Sequence, residues 1–202
     1  EHFALSNNVR LVSESGKVNL NTPEMIETLE FYKALSKYGP PGNLYWLHTR
    51  MDYLSGRAAM IVWSPFILDE LSGLRRDQPV LPDIAKGDPG FLAKNTGFVT
   101  TLRGPKGAAQ YGQTNYLGIT RDAQKDAARK WVEFLLSDGY LKWLGMAAEG
   151  KLPVRRGTSE HPNRFVEGWM ELEFGVTTRA RISQYCGPDV AKAILAGAER
   201  FD

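Results

Sequence analysis

The side chains best suited to bind a small molecule are aromatic rings that follow a short apolar run. Residues 58–62 are continuously apolar, and Trp63-Ser64-Pro65-Phe66 comes directly after them. A short apolar run bounded by turn residues is typical of a strand buried on both faces, and Pro65 suits the first turn of a helix. We therefore predict that Trp63 and Phe66 lie where a buried strand gives way to a helix. Open α/β sheets bind ligands at that edge, although the alternative that both rings belong to the core stays open.

A second aromatic pair, Tyr45 and Trp46, falls in the segment 43–48, which follows the helix-breaking residues Gly39-Pro40-Pro41-Gly42. We interpret this segment as a loop whose rings either line the rim of a ligand site or pack beneath the loop. Packing is the usual fate of large aromatic side chains. Trp131 and Trp143 recur at core spacing on predicted helices and are interpreted as structural.

The residues that catalyse reactions or bind metals are scattered rather than grouped. There is no HExxH spacing, no phosphate-binding glycine loop and no GxSxG turn. No carboxylate pair is tied to a predicted cleft, and acids such as Asp69 and Glu70 are more typical of a solvated face. The sequence therefore predicts no catalytic residue, no cofactor and no metal site. The residues that could bind a metal, His2, His48, His161 and Cys186, lie without ligand spacing to one another.

Length and charge exclude further classes of protein. The chain has 202 residues and a formal net charge of only +2, with no stripe of Lys and Arg of the kind that binds nucleic acid. Its apolar runs fall short of the roughly 18 residues that span a bilayer. The single Cys186 leaves the redox compartment open. Because the chain starts at Glu1 without an initiator Met, we expect an upstream segment, including any signal peptide, outside it.

Local signals place the regular elements around these residues. Thr22-Pro23-Glu24 predicts a helix start, and apolar residues continue at helical spacing to Leu35. A short helix before Gly56 and another from Phe66 to Gly73 flank the predicted strand. Further strands are predicted at 80–82, 98–99 and 116–120. Further helices are predicted from Asp122 to Leu136 and over 140–146, 163–174, 177–185 and 188–201.

Four segments, in order, resemble motifs of the extracellular solute-binding proteins of ABC importers. Residues 22–32 (TPEMIETLEFY) resemble that family's S/T-P-E-x-x-x-A-L-x-F-Y helix, and residues 53–60 (YLSGRAAM) resemble its F-x-x-G-K-A-A-M element. Residues 116–135 contain YLGIT and AARKWVEFL, similar to W-G-I-S followed by A-A-W-K-F-I-x-F-L. Residues 150–155 (GKLPVR) are similar to G-x-L-P-V-R.

The resemblance is to the carbohydrate-binding class that includes maltose-binding proteins. It implies an α/β chain with the periplasmic-binding-protein type II fold, mostly the second lobe plus hinge-crossing helices, with the N-terminal part missing. By this likeness, residues 1–112 are a second-lobe segment, 113–152 cross the hinge to the first lobe, and 153–202 return as helices. It also implies an extracytoplasmic receptor, periplasmic or lipid-anchored at the cell surface. Such a receptor closes on a carbohydrate ligand by hinge motion and delivers it to a membrane permease.

The resemblance also suggests which residues contact the ligand. Its usual pattern after the strand is D/N-G-P/S-W; here Trp63 takes the polar position and Phe66 the Trp position, which leaves open which ring stacks on a sugar. Asn115 and Tyr116 precede a hinge strand where the family often places a contact, the alternative for Tyr116 being hinge packing. Arg155, in L-P-V-R, takes a position that points into the cleft in several members, and the alternative is a solvated loop charge; Arg156 is a weaker candidate.

Three other readings stay open. A receptor of the same fold for a non-sugar solute would carry other ligand groups, and an arginine near the pocket argues against a cation. A glycoside hydrolase module would need two carboxylates about 5 to 9.5 Å apart across the cleft. A helical interaction domain without a small ligand conflicts with the predicted strand over residues 58–62.

Overall fold

Helices dominate the described part of the chain. The computed structural model describes residues 1–75, 82–88, 90–175, 178–185 and 187–199. Within these residues the helices are α1 (His2–Ser6), α2 (Pro23–Leu35), α3 (Trp46–Leu54), α4 (Leu68–Leu71), α5 (Pro82–Ala85), α6 (Phe91–Asn95), α7 (Lys125–Leu135), α8 (Tyr140–Leu144), α9 (Arg164–Met170), α10 (Ile182–Tyr185) and α11 (Pro188–Ala198). Turns of 3-10 helix occupy Ser36–Tyr38, Pro65–Ile67 and Ala148–Gly150.

The strands of the described residues form two small antiparallel pairs. Strand β1 (Leu102–Gly104) pairs with β2 (Gly107–Ala109), with Leu102 opposite Ala109. Strand β3 (Glu173–Phe174) pairs with β4 (Ala180–Arg181). Helices and strands therefore both occur, and the regular structure close to the candidate site is helical.

Helix α2 confirms the start predicted from Thr22-Pro23-Glu24. The Thr22 side chain accepts a hydrogen bond from the backbone N–H of Met25 at 3.2 Å, and Pro23 occupies the first turn. This cap satisfies one of the donors that a helix N-terminus leaves unpaired. The helix ends at Leu35 and continues as one 3-10 turn before the Gly-Pro-rich segment.

Several other helix boundaries differ from the predicted ones. Helix α3 begins at Trp46, so the loop predicted over residues 43–48 is wrong at residues 46–48. Helix α7 begins at Lys125 rather than after Asp122, and its N-cap residue Gln124 makes no side-chain cap bond. Helix α9 ends at Met170 because the chain turns into β3, which the helical reading of 163–174 missed. Residue 177 and residues 200–202 lie outside the described part.

The predicted strands are wrong wherever the structure describes them. Residues 58–62, 98–99 and 116–120 carry no strand pairing, and Met60 is 88% exposed. A parallel strand is stable only when neighbouring strands bond to its backbone and other elements cover its faces. Among the described residues no such neighbours lie beside these segments. Residues 80 and 81 of the third predicted strand lie outside the described part, and Pro82 begins α5.

The core of the described residues consists of three apolar clusters. The largest surrounds Trp169, Phe174 and Ile182, a second contains Leu54 and Leu71, and a third contains Tyr140, Leu144 and Phe165. Phe98 packs against the first two clusters, so the N-terminal and C-terminal halves of the chain share one packed interior.

Helix α7 is the clearest exception to burial. Its apolar residues recur on one face, yet Leu135 is its single buried residue, and Trp131 and Phe134 are more than half exposed. The prediction that Trp131 is a core residue is therefore wrong for the described structure. Trp143 on α8 is partly buried against the third cluster, as predicted. None of the helices in the described ranges is long and apolar enough to cross a membrane.

Candidate functional site

Trp63 and Phe66 flank the start of a helix, as the sequence predicts, but follow an irregular, unpaired segment instead of a strand. The 3-10 turn Pro65–Ile67 has proline in its first turn and leads directly into α4. Trp63 is 37% exposed and Phe66 is 45% exposed. Within the described residues neither ring packs against another aromatic ring. Both rings therefore offer free surface to a ligand.

Phe66 is nevertheless held on one side by Gly150. The ring lies so close to this glycine that a side-chain carbon at position 150 would overlap it. Gly150 ends the 3-10 turn Ala148–Gly150, which packs against the turn Pro65–Ile67. The absence of a side chain at Gly150 thus leaves the space that the Phe66 ring occupies. This contact joins residues far apart in sequence.

Tyr45 and Trp46 form a second aromatic group at the start of α3. Their ring centroids are 5.0 Å apart, and both side chains are exposed. The Arg50 guanidinium lies 4.4 Å from the centroid of the Trp46 ring, a distance at which a cation is attracted to the ring face. The same Arg50 is buried and forms a 2.6 Å ion pair with Glu70 on α4. Arg50 therefore connects this aromatic pair to the helix that follows Phe66.

Asn115 and Tyr116 lie in an irregular, unpaired segment on the surface. Tyr116 is 88% exposed, and no hydrogen bond of either side chain is present among the described residues. The structure does not bring this pair into contact with Trp63 or Phe66.

Arg155 is exposed but engaged with its own surroundings. Its guanidinium donates a hydrogen bond to the Leu136 carbonyl and lies 5.6 Å from the centroid of the Phe165 ring. Arg156 is likewise paired, with the Glu199 carboxylate and with Asn163. In this arrangement both arginines hold helices together, and a ligand would have to compete for Arg155.

Three buried carboxylates lie beside this region. Asp69 and Glu70 belong to α4, and Glu149 belongs to the turn that carries Gly150. Burial, followed by the nearby charges of Glu149 and Glu70, raises the pKa of Asp69 to about 7, while Arg75 opposes these effects. Across the described ranges, no group of three His, Cys, Asp or Glu residues is placed to hold a metal ion. The reading of Asp69 and Glu70 as a solvated face is therefore wrong.

Two residues that position the candidates were not predicted from sequence. Arg50 stands one helical turn after Trp46, and this i, i+4 spacing would have revealed the contact had α3 been predicted to start at Trp46. Gly150 carries no comparable signal, because its contact with Phe66 joins segments more than eighty positions apart.

Comparisons with known proteins support the resemblance. No protein-family model matches the chain. The chain is 32% identical over 158 residues to the protein named "Putative ABC transporter periplasmic-binding protein YcjN" of Escherichia coli (strain K12). That alignment covers 76% of this chain and 33% of the relative, so the chain spans about a third of the length of the curated relative it matches.

The similarity supports a relation to the solute-binding proteins of ABC transporters, as the four sequence motifs predict. Together with the mixed helix and strand content, it fits an α/β solute-binding fold. The relative's name describes a binding protein.

Proposed function

We propose that this chain belongs to the substrate-binding component of an ABC transporter. In this proposal, it captures a sugar or oligosaccharide outside the cytoplasmic membrane and delivers it to the membrane permease. The observation that carries the proposal is the 32% identity with a periplasmic-binding protein over three quarters of the chain. The four motifs in the family's order support the same conclusion.

We further propose the type II arrangement of two lobes, with residues 1–112 and 153–202 in the second lobe and 113–152 crossing to the first. Two features support this division. Residues 58–62 and 116–120 are irregular and expose apolar side chains, and α7 exposes the rings of Trp131 and Phe134. Segments of this kind gain stability when partner strands and covering elements are supplied. Polypeptide corresponding to the rest of the relative would supply them.

For the ligand we propose a carbohydrate held by aromatic rings. A sugar presents apolar C–H faces to rings and hydroxyl groups to polar side chains. Trp63, Phe66, Tyr45 and Trp46 are exposed near the junction of α3 and α4, and they would supply the rings. Asn115, Tyr116 and Arg155 would supply hydrogen bonds once closure of the lobes brings their segments to the ligand.

A non-sugar solute is the second candidate for the same fold, and Arg155 is the feature that favours it. A planar guanidinium binds a carboxylate with two hydrogen bonds, so an acidic solute or an acidic sugar would suit it. For a glycoside-cleaving module the structure offers three carboxylates near the rings, Asp69, Glu70 and Glu149. All three are buried among protein groups, which does not favour attack on a substrate.

A thermal-shift screen of the protein as its gene encodes it tests the proposal. The panel contains mono- and oligosaccharides, uronic acids, amino acids and polyamines. A ligand at one hundred times its Kd stabilises the folded state by about 2.7 kcal/mol, which raises the Tm by several degrees. We expect stabilisation by at least one neutral or acidic sugar.

Stabilisation by amino acids or polyamines alone would overturn the sugar assignment and leave the receptor role intact. Absence of a shift with every compound would count against a solute-binding role. Release of the chromophore from a nitrophenyl glycoside panel would favour the enzyme reading.

A further inference from the structure

Three buried acidic side chains lie beside the two packed turns Pro65–Ile67 and Ala148–Gly150. Asp69 and Glu70 come from α4 and Glu149 from the turn, and all three are buried. The turn just before α4 packs on the turn Ala148–Gly150. We call this meeting of Asp69, Glu70 and Glu149 the acidic junction.

Among the described residues, the ion pairs to the acidic junction come from Arg50 and Arg75 and reach Asp69 and Glu70. Arg50 is committed to Glu70 through the 2.6 Å ion pair. Arg75 lies 4.0 Å from the Asp69 carboxylate and 3.9 Å from that of Glu70, so it is shared and beyond hydrogen-bond distance of both. No ion pair to Glu149 is present among the described residues. One oxygen each of Asp69 and Glu149 also lacks a hydrogen-bond partner there.

The remaining charged groups on the packed elements are engaged elsewhere. Lys94 on α6, which packs against α4, pairs with Asp88 at 2.6 Å. Lys151, just after the turn, lies over the Trp143 ring. Arg179 donates to the carbonyls of Gly145 and Glu173, and the Glu173 side chain on β3 is exposed. None of these groups brings a positive charge to Glu149.

We propose that the acidic junction holds one proton on Asp69, and that loss of this proton loosens the contact between the turn Pro65–Ile67, which leads into α4, and the turn Ala148–Gly150. The contact is then a pH-sensitive latch. In the same turn, Gly150 contacts the Phe66 ring and the Ala148 carbonyl accepts a hydrogen bond from the Trp169 indole N–H. Loosening of the turn therefore weakens both contacts.

The titration of Asp69 supports the latch. Burial, followed by the charges of Glu149 and Glu70, raises the pKa of Asp69 from 3.8 to about 7. Below pH 3.8 the Asp69 carboxyl is protonated in both the folded and the unfolded chain, so it adds no pH dependence to the free energy of unfolding. Between pH 3.8 and 7 the folded chain holds a proton that the unfolded chain has released, so stability falls as the pH rises. Above pH 7 the loss is complete, and Asp69 and Glu149 repel each other in the folded chain.

The test compares the wild type with Asp69→Asn, which keeps the size and polarity of a protonated Asp69 but cannot ionise. Urea denaturation of both proteins is measured between pH 4 and pH 8. We expect the ratio of their unfolding constants to grow in favour of the variant, by up to about tenfold per pH unit until pH 7. Asp122→Asn, at an exposed aspartate, is the matched control and leaves the curve parallel to that of the wild type.

A local readout distinguishes the latch from a general change in stability. The Trp169 indole N–H donates to the Ala148 carbonyl at 2.9 Å and to the Lys151 carbonyl at 2.7 Å. Its hydrogen-exchange rate at each pH is compared between the wild type and Asp69→Asn, which share the same intrinsic chemistry. We expect faster exchange in the wild type at pH 8 and equal rates at pH 4.

Parallel stability curves for the wild type and Asp69→Asn would overturn the proposal. A ratio of unfolding constants that shifts in favour of the wild type as the pH rises would also overturn it, because Asp69 would then be ionised and paired with Arg75. Should Asp69→Asn fail to fold, Glu149→Gln serves instead. It removes the repelling charge, so the wild type's excess Trp169 exchange at pH 8 should disappear, and its persistence would contradict the latch.

Discussion

Trp63 and Phe66 are held in different ways, and this difference assigns them different roles. The Trp63 ring makes no ring contact among the described residues, whereas the Phe66 ring rests on Gly150. The exposed part of Trp63, 37% of the residue, is available to cover a sugar face. A ring seated on the protein stabilises the fold as well as any ligand.

We therefore expect Trp63→Ala and Phe66→Ala to separate affinity from stability. Trp63→Ala should weaken binding of the best panel ligand at least tenfold, about 1.4 kcal/mol, and leave the Tm of the free protein unchanged. Phe66→Ala should also lower the free energy of unfolding, by about 1 kcal/mol, because its ring contact with the turn is lost.

Calorimetry and urea denaturation measure the two effects, with Tyr38→Ala as the control at a highly exposed aromatic outside the site. An affinity for Trp63→Ala equal to that of Tyr38→Ala would remove Trp63 from the ligand site.

The candidate residues could be predicted from sequence because the residue type of an aromatic or arginine side chain indicates which ligand groups it can bind. The contacts that surround these residues could not be predicted from sequence. Nothing in the order of residues indicates that Arg155 reaches the Leu136 carbonyl, or that Asp69 and Glu149 are buried together. Such contacts depend on how distant segments pack. They determine the role of a residue more than the residue type does.

At the scale of elements, local signals predicted helices and failed for strands. Helix α2 was predicted because its cap, its proline and its apolar spacing all lie within a few residues of one another. Residues 58–62 have the composition of a buried strand, but a strand exists only through hydrogen bonds to other segments. The described residues provide none there, so the composition alone was insufficient.

The loop before α9 offers a test of how tightly one element is positioned. The backbone N–H of Thr158 donates to the His161 carbonyl at 3.0 Å, and that of Phe165 donates to the Arg156 carbonyl at 2.9 Å. Gly157 lies inside this loop, where a side-chain carbon would overlap the backbone of His161 and Pro162.

Gly157→Ala should therefore lower the free energy of unfolding by about 2 kcal/mol, because backbone rather than a flexible side chain must move. Gly118→Ala is the matched control, since the space beside Gly118 is open, and it should change stability by less than about 0.5 kcal/mol. Urea denaturation of both variants gives the comparison, and equal effects would mean that the loop adapts without cost.

At the scale of the whole molecule, the described structure exposes many large apolar side chains. They include residues from α2, α7 and the unpaired segments 58–62 and 116–120. Scattered exposed apolar residues are ordinary, but continuous apolar faces mark surfaces that pack against something else. In the two-lobe proposal, that partner is polypeptide of the same protein, and the ligand lies between the lobes.

The two-lobe proposal predicts that this 202-residue chain alone binds its ligand poorly. A cleft with one wall loses the hydrogen bonds and ring contacts of the opposite wall, and lobe closure can no longer exclude water from the ligand. We expect calorimetry to give a Kd at least about a hundredfold weaker than that of the complete gene product, a difference of about 2.7 kcal/mol.

Trp131→Ala provides an independent check. It should change the stability of the 202-residue chain by less than about 0.5 kcal/mol, as for an exposed residue, and destabilise the complete protein by about 3 kcal/mol, as for a buried one. Equal affinities for the two proteins, or a large effect of Trp131→Ala on the 202-residue chain, would place the binding site and the cover of α7 within this chain.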